Sequence, residues 1–120
     1  MIPEDAREYP LDKAYWVTED GRVFSTKWRN PRELAQNIRG PGYLAVMTTE
    51  DGKIKGRYVH RMVAETFLER TESESEVHHI DHDKRNNHLS NLKWVSHSEN
   101  ISESLKHYGV RHMGEVSHYK

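Results

Sequence analysis

The order of apolar and polar residues along the chain divides it into a strand-rich first half and a mixed second half. Residues 14–18 (Ala-Tyr-Trp-Val-Thr) have the β-branched and aromatic make-up of a strand. Glu19-Asp20-Gly21 follows, and an Asp-Gly pair suits the positive φ of a tight hairpin. Residues 22–25 are therefore expected to return as the partner strand. Residues 28–31 read as loop, residues 34–38 as a short strand, and Gly40-Pro41-Gly42 as a break. A strand over 43–49, a turn over 50–53 and a strand over 54–59 complete a small antiparallel sheet.

From His60 the period changes. Val59, Val63 and Phe67 lie four apart with Met62 beside them, which marks one face of a short helix ending near Leu68. The polar, acidic run 69–76 reads as a loop. Residues 77–80 form a strand, 81–88 a polar loop, 89–92 a turn or short helical piece, and 93–95 a second strand. Ser96-His97-Ser98-Glu99 fits a capping box, with Ser96 as N-cap and Glu99 at N3. The helix it starts carries Ile101, Leu105 and Tyr108 as a core-facing row and stops at Gly109. The expected fold class is α+β. Its parts are an acidic surface arm (1–13), a small N-terminal antiparallel sheet plus short helix (14–68), an acidic loop (69–76), a strand–loop–strand–helix unit (77–108) and a loose tail (109–120).

Composition narrows the class. The 120 residues make one domain, and with 34% apolar and 31% charged residues the core is thin. No apolar run approaches the ~20 residues that span a bilayer, so no membrane partner is expected. Met1-Ile2-Pro3-Glu4-Asp5 lacks the basic and apolar regions of a secretory signal, which fits a cytoplasmic protein. The absence of cysteine excludes disulfides and Cys-based zinc sites. Net charge is −1, but it is segregated: about −4 over residues 1–20, +5 over 21–70, −5 over 71–83 and +3 over 84–120. A basic face suited to nucleic acid can hide inside such a total. Five of the nine histidines, His78, His79, His82, His88 and His97, fall within twenty residues.

Those histidines and the asparagines around them carry the chemistry. His78 and His79 are neighbours on a strand, so they point to opposite faces. Asn91 ends the loop, and Asn100 lies in the first turn of the following helix, where it can face back to the strands. The run Val77-His78-His79-Ile80-Asp81-His82-Asp83-Lys84-Arg85-Asn86-Asn87, continued by Leu89-Ser90-Asn91-Leu92-Lys93-Trp94-Val95-Ser96-His97-Ser98-Glu99-Asn100, resembles the HNH nuclease motif of phage and intron homing endonucleases. That family folds it as a ββα-metal finger. Tyr58–Phe67 is similar to the segment preceding the finger, and residues 15–25 to a modular DNA-binding segment found at the N-terminus of these enzymes.

The resemblance implies roles. His79 stands as general base, and Asn91 as the middle Asn that orients the histidine or its loop. His78 stands where the family has a metal ligand, often Asp or His, and Asn100 where it has the second. Mg²⁺ or Mn²⁺ is the expected ion, although imidazole in place of a carboxylate also suits softer ions such as Zn²⁺ or Ni²⁺. Lys84, Arg85, Arg61 and Arg57 are candidate phosphate contacts. His82 and His88 read as solvent or phosphate contacts rather than ligands, Asp81 as a loop-holding residue, and Trp94 and Phe67 as core. The expected substrate is double-stranded DNA, nicked by a monomer or cut on both strands by a homodimer. The rival readings are a DNA-binding module without activity, a non-specific nuclease or ribonuclease on the same finger, and a metal-stabilised structural protein.

Overall fold

The computed structural model describes residues 2–70 and 72–108. Three antiparallel sheets and two helices follow in chain order. β1 (Arg7–Glu8), β2 (Tyr15–Val17), β3 (Val23–Ser25) and β4 (Arg32–Glu33) form the first sheet, each strand beside its neighbour in sequence. β5 (Asn37–Arg39), β6 (Tyr43–Glu50) and β7 (Lys53–Tyr58) form the second. α1 (Val59–Phe67) follows directly. β8 (Glu76–His79) and β9 (Leu92–Val95) pair as a two-stranded ribbon, and α2 (His97–Tyr108) ends the described chain. The fold is α+β, as the sequence predicts.

α1 is the element the rest gathers around. Its N-cap residue Tyr58 makes no side-chain capping bond, so packing rather than capping holds it. Val59, Met62, Val63 and Ala64 are fully buried, and they join Tyr9, Tyr15, Val17, Val23, Val46, Val77, Leu92 and Trp94 in one core. Each large apolar side chain so buried contributes roughly 1.5–3 kcal/mol. The ribbon is tied to the same helix by Trp94, whose Nε1 donates to the Ala64 carbonyl at 3.3 Å.

Three expectations change on the structure. Residues 1–13 are not merely a surface arm: β1 pairs with β2, placing Arg7 opposite Val17 and Glu8 opposite Trp16. Tyr9, immediately after it, is completely buried. A tyrosine among charges and prolines carries no period, so the sequence does not reveal its place in the core. Of the strand expected over 34–38, only Asn37 and Ile38 lie in one, β5; residues 34–36 are the link from β4, with Leu34 and Gln36 half-buried. Ile101 is 47% exposed rather than core-facing, because the ribbon covers another face of α2. The side chain of Tyr108, Gly109 as a helix stop, and the tail lie outside the described residues.

Tyr9 anchors a polar chain across the elements. Its hydroxyl donates to Glu65 Oε1 of α1 at 2.5 Å and accepts from Arg57 Nη1 of β7 at 3.1 Å. Arg57 also donates to both carboxylate oxygens of Glu50, at 2.5 and 2.7 Å. That fork holds the Glu50 carboxyl down at about 2. Burial, then the bond to Glu65, pushes the Tyr9 hydroxyl above its ordinary range. In urea unfolding, Tyr9→Ala is expected to cost about 3–5 kcal/mol, as large aromatic truncations do. Tyr9→Phe should cost about 1–2 kcal/mol for the hydroxyl alone. A change within 0.5 kcal/mol for Tyr9→Ala would return residues 1–13 to the status of a surface arm.

Candidate active site

The site is built on β8. Its register sets Val77 opposite Trp94, His78 opposite Lys93 and His79 opposite Leu92. Val77 and His79 therefore look toward the core, and Glu76 and His78 toward α2. Both histidines are 5% exposed.

On the core side, His79 is held from three directions. Its ring stacks on Tyr43 of β6 with centroids 5.9 Å apart and planes 20° apart. His60 of α1 lies 5.0 Å away by centroid. Asn87 Oδ1 meets His79 Nε2 at 2.8 Å. With that oxygen accepting, Nε2 carries the proton and Nδ1 presents the lone pair. His60 is buried, and burial, followed by the charges of His79 and Arg61, lowers its pKa to about 3. It is thus a neutral wall at any ordinary pH. Among the described residues, His60 Nδ1 and Asn87 Nδ2 are buried without a hydrogen-bond partner.

Asn91 does not reach His79. Its Oδ1 accepts from the Asp81 N–H at 3.0 Å, and its Nδ2 donates to Asp81 Oδ1 and to the Asn86 carbonyl, both at 2.9 Å. Asp81 also accepts from the Asp83 N–H and from Asn86 Nδ2, each at 2.8 Å. These bonds, Asn86's first, hold the Asp81 carboxyl at about 2. Asn91 and Asp81 thus hold the loop, and Asn87 holds the imidazole. Spacing alone gives no signal that Asn87, one of two adjacent loop asparagines, has that place. His60 was equally hidden at a sheet-to-helix junction.

The loop is also pinned from outside. The Leu89 N–H donates to the Glu19 carbonyl at 2.7 Å. Gly21, at φ +87°, abuts Asn87 so closely that a Cβ there would lie 3.0 Å from the Asn87 Cβ. A side chain at 21 would strain the β2–β3 turn and press on the site loop.

On the α2 side, Glu76 Oε1 accepts from Asn100 Nδ2 at 2.8 Å, and Glu76 Oε2 meets His97 Nδ1 at 2.6 Å. The bonds to Asn100 and then His97 lower the Glu76 pKa. The expected capping box forms, with Ser96 N–H to Glu99 Oε1 at 3.0 Å and Glu99 N–H to Ser96 Oγ at 3.2 Å. His78 has the ring of His82 edge-on at 5.0 Å. Among the described residues no three His, Cys, Asp or Glu side chains converge as a metal-binding group, unlike a closed structural zinc site. An imidazole and an amide flanking the β8–α2 interface, with a carboxylate bonded to that amide, are a donor set that fits a divalent ion held at few points.

The four basic candidates divide. Lys84 and Arg85 lie on the loop, Lys84 reaching the Pro41 carbonyl at 3.1 Å and Arg85 exposed. Arg61 donates to the Ser75 carbonyl at 3.0 Å and lies over Trp94, 37% exposed. Arg57 is occupied by Glu50 and Tyr9.

Residues 57–101 match the HNH endonuclease family. An uncharacterised HNH endonuclease of Acanthamoeba polyphaga mimivirus is 37% identical over 92 residues, 77% of this chain and 27% of that protein. YosQ, a Bacillus subtilis SPbeta prophage protein named as an HNH homing endonuclease, is 36% identical over 107 residues, 88% of this chain and 58% of YosQ. The solved structure of I-HmuI, an HNH homing endonuclease of Bacillus phage SP01, matches 93% of this chain and 65% of its own at TM-score 0.76 and 27% identity. The chain thus spans less than two thirds of each of these proteins.

The contacts around His79 have a spectroscopic consequence. Nitrogen NMR of the imidazole is expected to show His79 as a single Nε2–H tautomer, and Asn87→Ala to release it into exchange between tautomers. Gly21→Ala should disturb the same resonances and destabilise the fold by about 1 kcal/mol or more, as alanine does at positive φ. An unchanged His79 spectrum in both variants would mean that Asn87 does not hold the ring.

Proposed function

We propose, from the match of residues 57–101 to the HNH endonuclease family, that the chain hydrolyses phosphodiester bonds of double-stranded DNA with a divalent ion, His79 acting as general base. The observation that carries this reading is the division of labour across β8: His79 fixed by Asn87 on one face, His78 on the other, the face on which Glu76 meets Asn100 of α2.

His78 and Asn100 are the residues that would hold the ion. When bound, a divalent ion polarises the phosphate and stabilises the departing 3′ oxygen. His79 Nδ1 takes the proton of the attacking water as its oxygen bonds to phosphorus and the P–O3′ bond breaks; the departing 3′ oxygen takes a proton from solvent, leaving 5′-phosphate and 3′-hydroxyl ends. Neutral imidazole is the form that accepts that proton, and the bond from Nε2 to Asn87 keeps the lone pair on Nδ1. Asn87, Asn91 and His60 are positioning residues. Lys84 and Arg85, on the exposed loop, meet phosphate. Arg61 can assist them, while Arg57 serves the fold.

Mg²⁺ or Mn²⁺ is the proposed ion, and His78 extends the choice toward Zn²⁺ or Ni²⁺. One finger cuts one strand, so a monomer nicks and a homodimer cuts both. Among the described residues no helix is long and apolar enough to cross a membrane. Likeness to phage and prophage proteins supports action in the cytoplasm of a bacterial host.

Supercoiled plasmid, incubated with wild type or His79→Ala in Mg²⁺, Mn²⁺ or EDTA, tests the proposal. Nicked or linear product is expected with metal and not with EDTA, falling about 10²–10⁴-fold in His79→Ala. Plasmid and genomic DNA left intact but bound would make the chain a DNA-binding module, and cleavage confined to RNA would make it a ribonuclease.

A further inference from the structure

We infer that Glu76 completes the metal site, orienting the Asn100 amide and supplying the negative charge that the His78–Asn100 pair lacks; this rests on the reading of the β8–α2 interface as the place of the ion. Glu76 and His78 are two residues apart on one strand and so share the face turned to α2. An asparagine amide offers one oxygen and one NH₂ group, which look alike in shape and differ only in their partners. Here Asn100 Nδ2 donates to Glu76 Oε1 at 2.8 Å. The reversed amide would set its oxygen against the carboxylate, so Glu76 dictates that the Asn100 oxygen is the atom left to face a cation.

The charge argument is separate from the orientation argument. His78 and Asn100 are neutral donors, whereas hard divalent ions are held chiefly by carboxylates. A carboxylate one hydrogen bond behind a ligand adds attraction and fixes the ligand's direction, and such partners typically change metal affinity about 10–100-fold. Glu76 sets one oxygen against Asn100 and the other against His97, so both are directed at the first turn of α2. A plain structural account would make Glu76 a brace for the first turn of α2, since its two oxygens contact residues 97 and 100. The two accounts part at Glu76→Gln, which keeps an oxygen for Asn100 and removes the charge.

The test is Mn²⁺ binding without DNA, read by the electron paramagnetic resonance of free Mn²⁺, alongside thermal unfolding of each variant. Glu76→Gln is expected to weaken Mn²⁺ binding about 10-fold and Glu76→Ala up to about 100-fold. Asn100→Ala and His78→Ala should reduce it at least as far. Adding His78→Asp to Glu76→Gln should recover binding, because a carboxylate returns to the site. Wild-type affinity in Glu76→Gln and Glu76→Ala, with loss in Asn100→Ala, would overturn the inference and leave the metal site standing. Wild-type Mn²⁺ binding that is absent, or unmoved by His78→Ala and Asn100→Ala, would overturn the metal reading and Glu76's part with it.

Discussion

Adjacent residues on a strand cannot look the same way, and from that constraint on β8 the arrangement of the site follows. On a helix two neighbouring histidines would diverge by only about 100°. On β8 they are separated by the sheet itself. His79 is delivered to an aromatic box made by β6 and α1, where a neutral partner on one side and an amide oxygen on another fix its ring. His78 is delivered to the interface with α2, where a carboxylate and an amide lie. A one-residue slip of β8 against β9 would exchange the two faces, and it would also expose Val77, so the core enforces the register that the chemistry needs.

That core is small and shared. α1 touches both the ribbon and the N-terminal strands, so the site is not an appendage on a separate body. Its buried polar groups are few and mostly satisfied. Among the described residues the exceptions, His60 Nδ1 and Asn87 Nδ2, sit directly around His79. Unsatisfied buried groups are costly, of the order of 1–3 kcal/mol each, and their gathering around one imidazole is where the fold departs from its own rules.

Much of this was legible in the sequence because the signals were local. The Asp-Gly turn, the four-residue spacing of Val59, Val63 and Phe67, and the Ser96–Glu99 capping box each depend on a few neighbouring residues and each formed as expected. The site residues His78, His79 and Asn100 came out at the two faces of β8 and the start of α2. What stayed hidden was non-local. Tyr9 is buried because Glu65 and Arg57, about fifty residues on, meet its hydroxyl. Asn87 rather than Asn91 touches His79, on a loop that abuts Gly21 of the β2–β3 turn far upstream, and no periodicity encodes such contacts. Arg57 looked like a free cation until the geometry paired it with Glu50.

The meeting of Gly21 with Asn87 also bears on how such a chain can be inherited. The contour of the loop has its complement in a turn far upstream, joined by the Leu89–Glu19 bond as well. A recombination breakpoint falling between the two would hand the loop a foreign turn, and a side chain in place of Gly21 would strain the turn and press on Asn87. The hairpin and the loop thus fit as a pair, and exchanging one without the other disturbs the surroundings of His79.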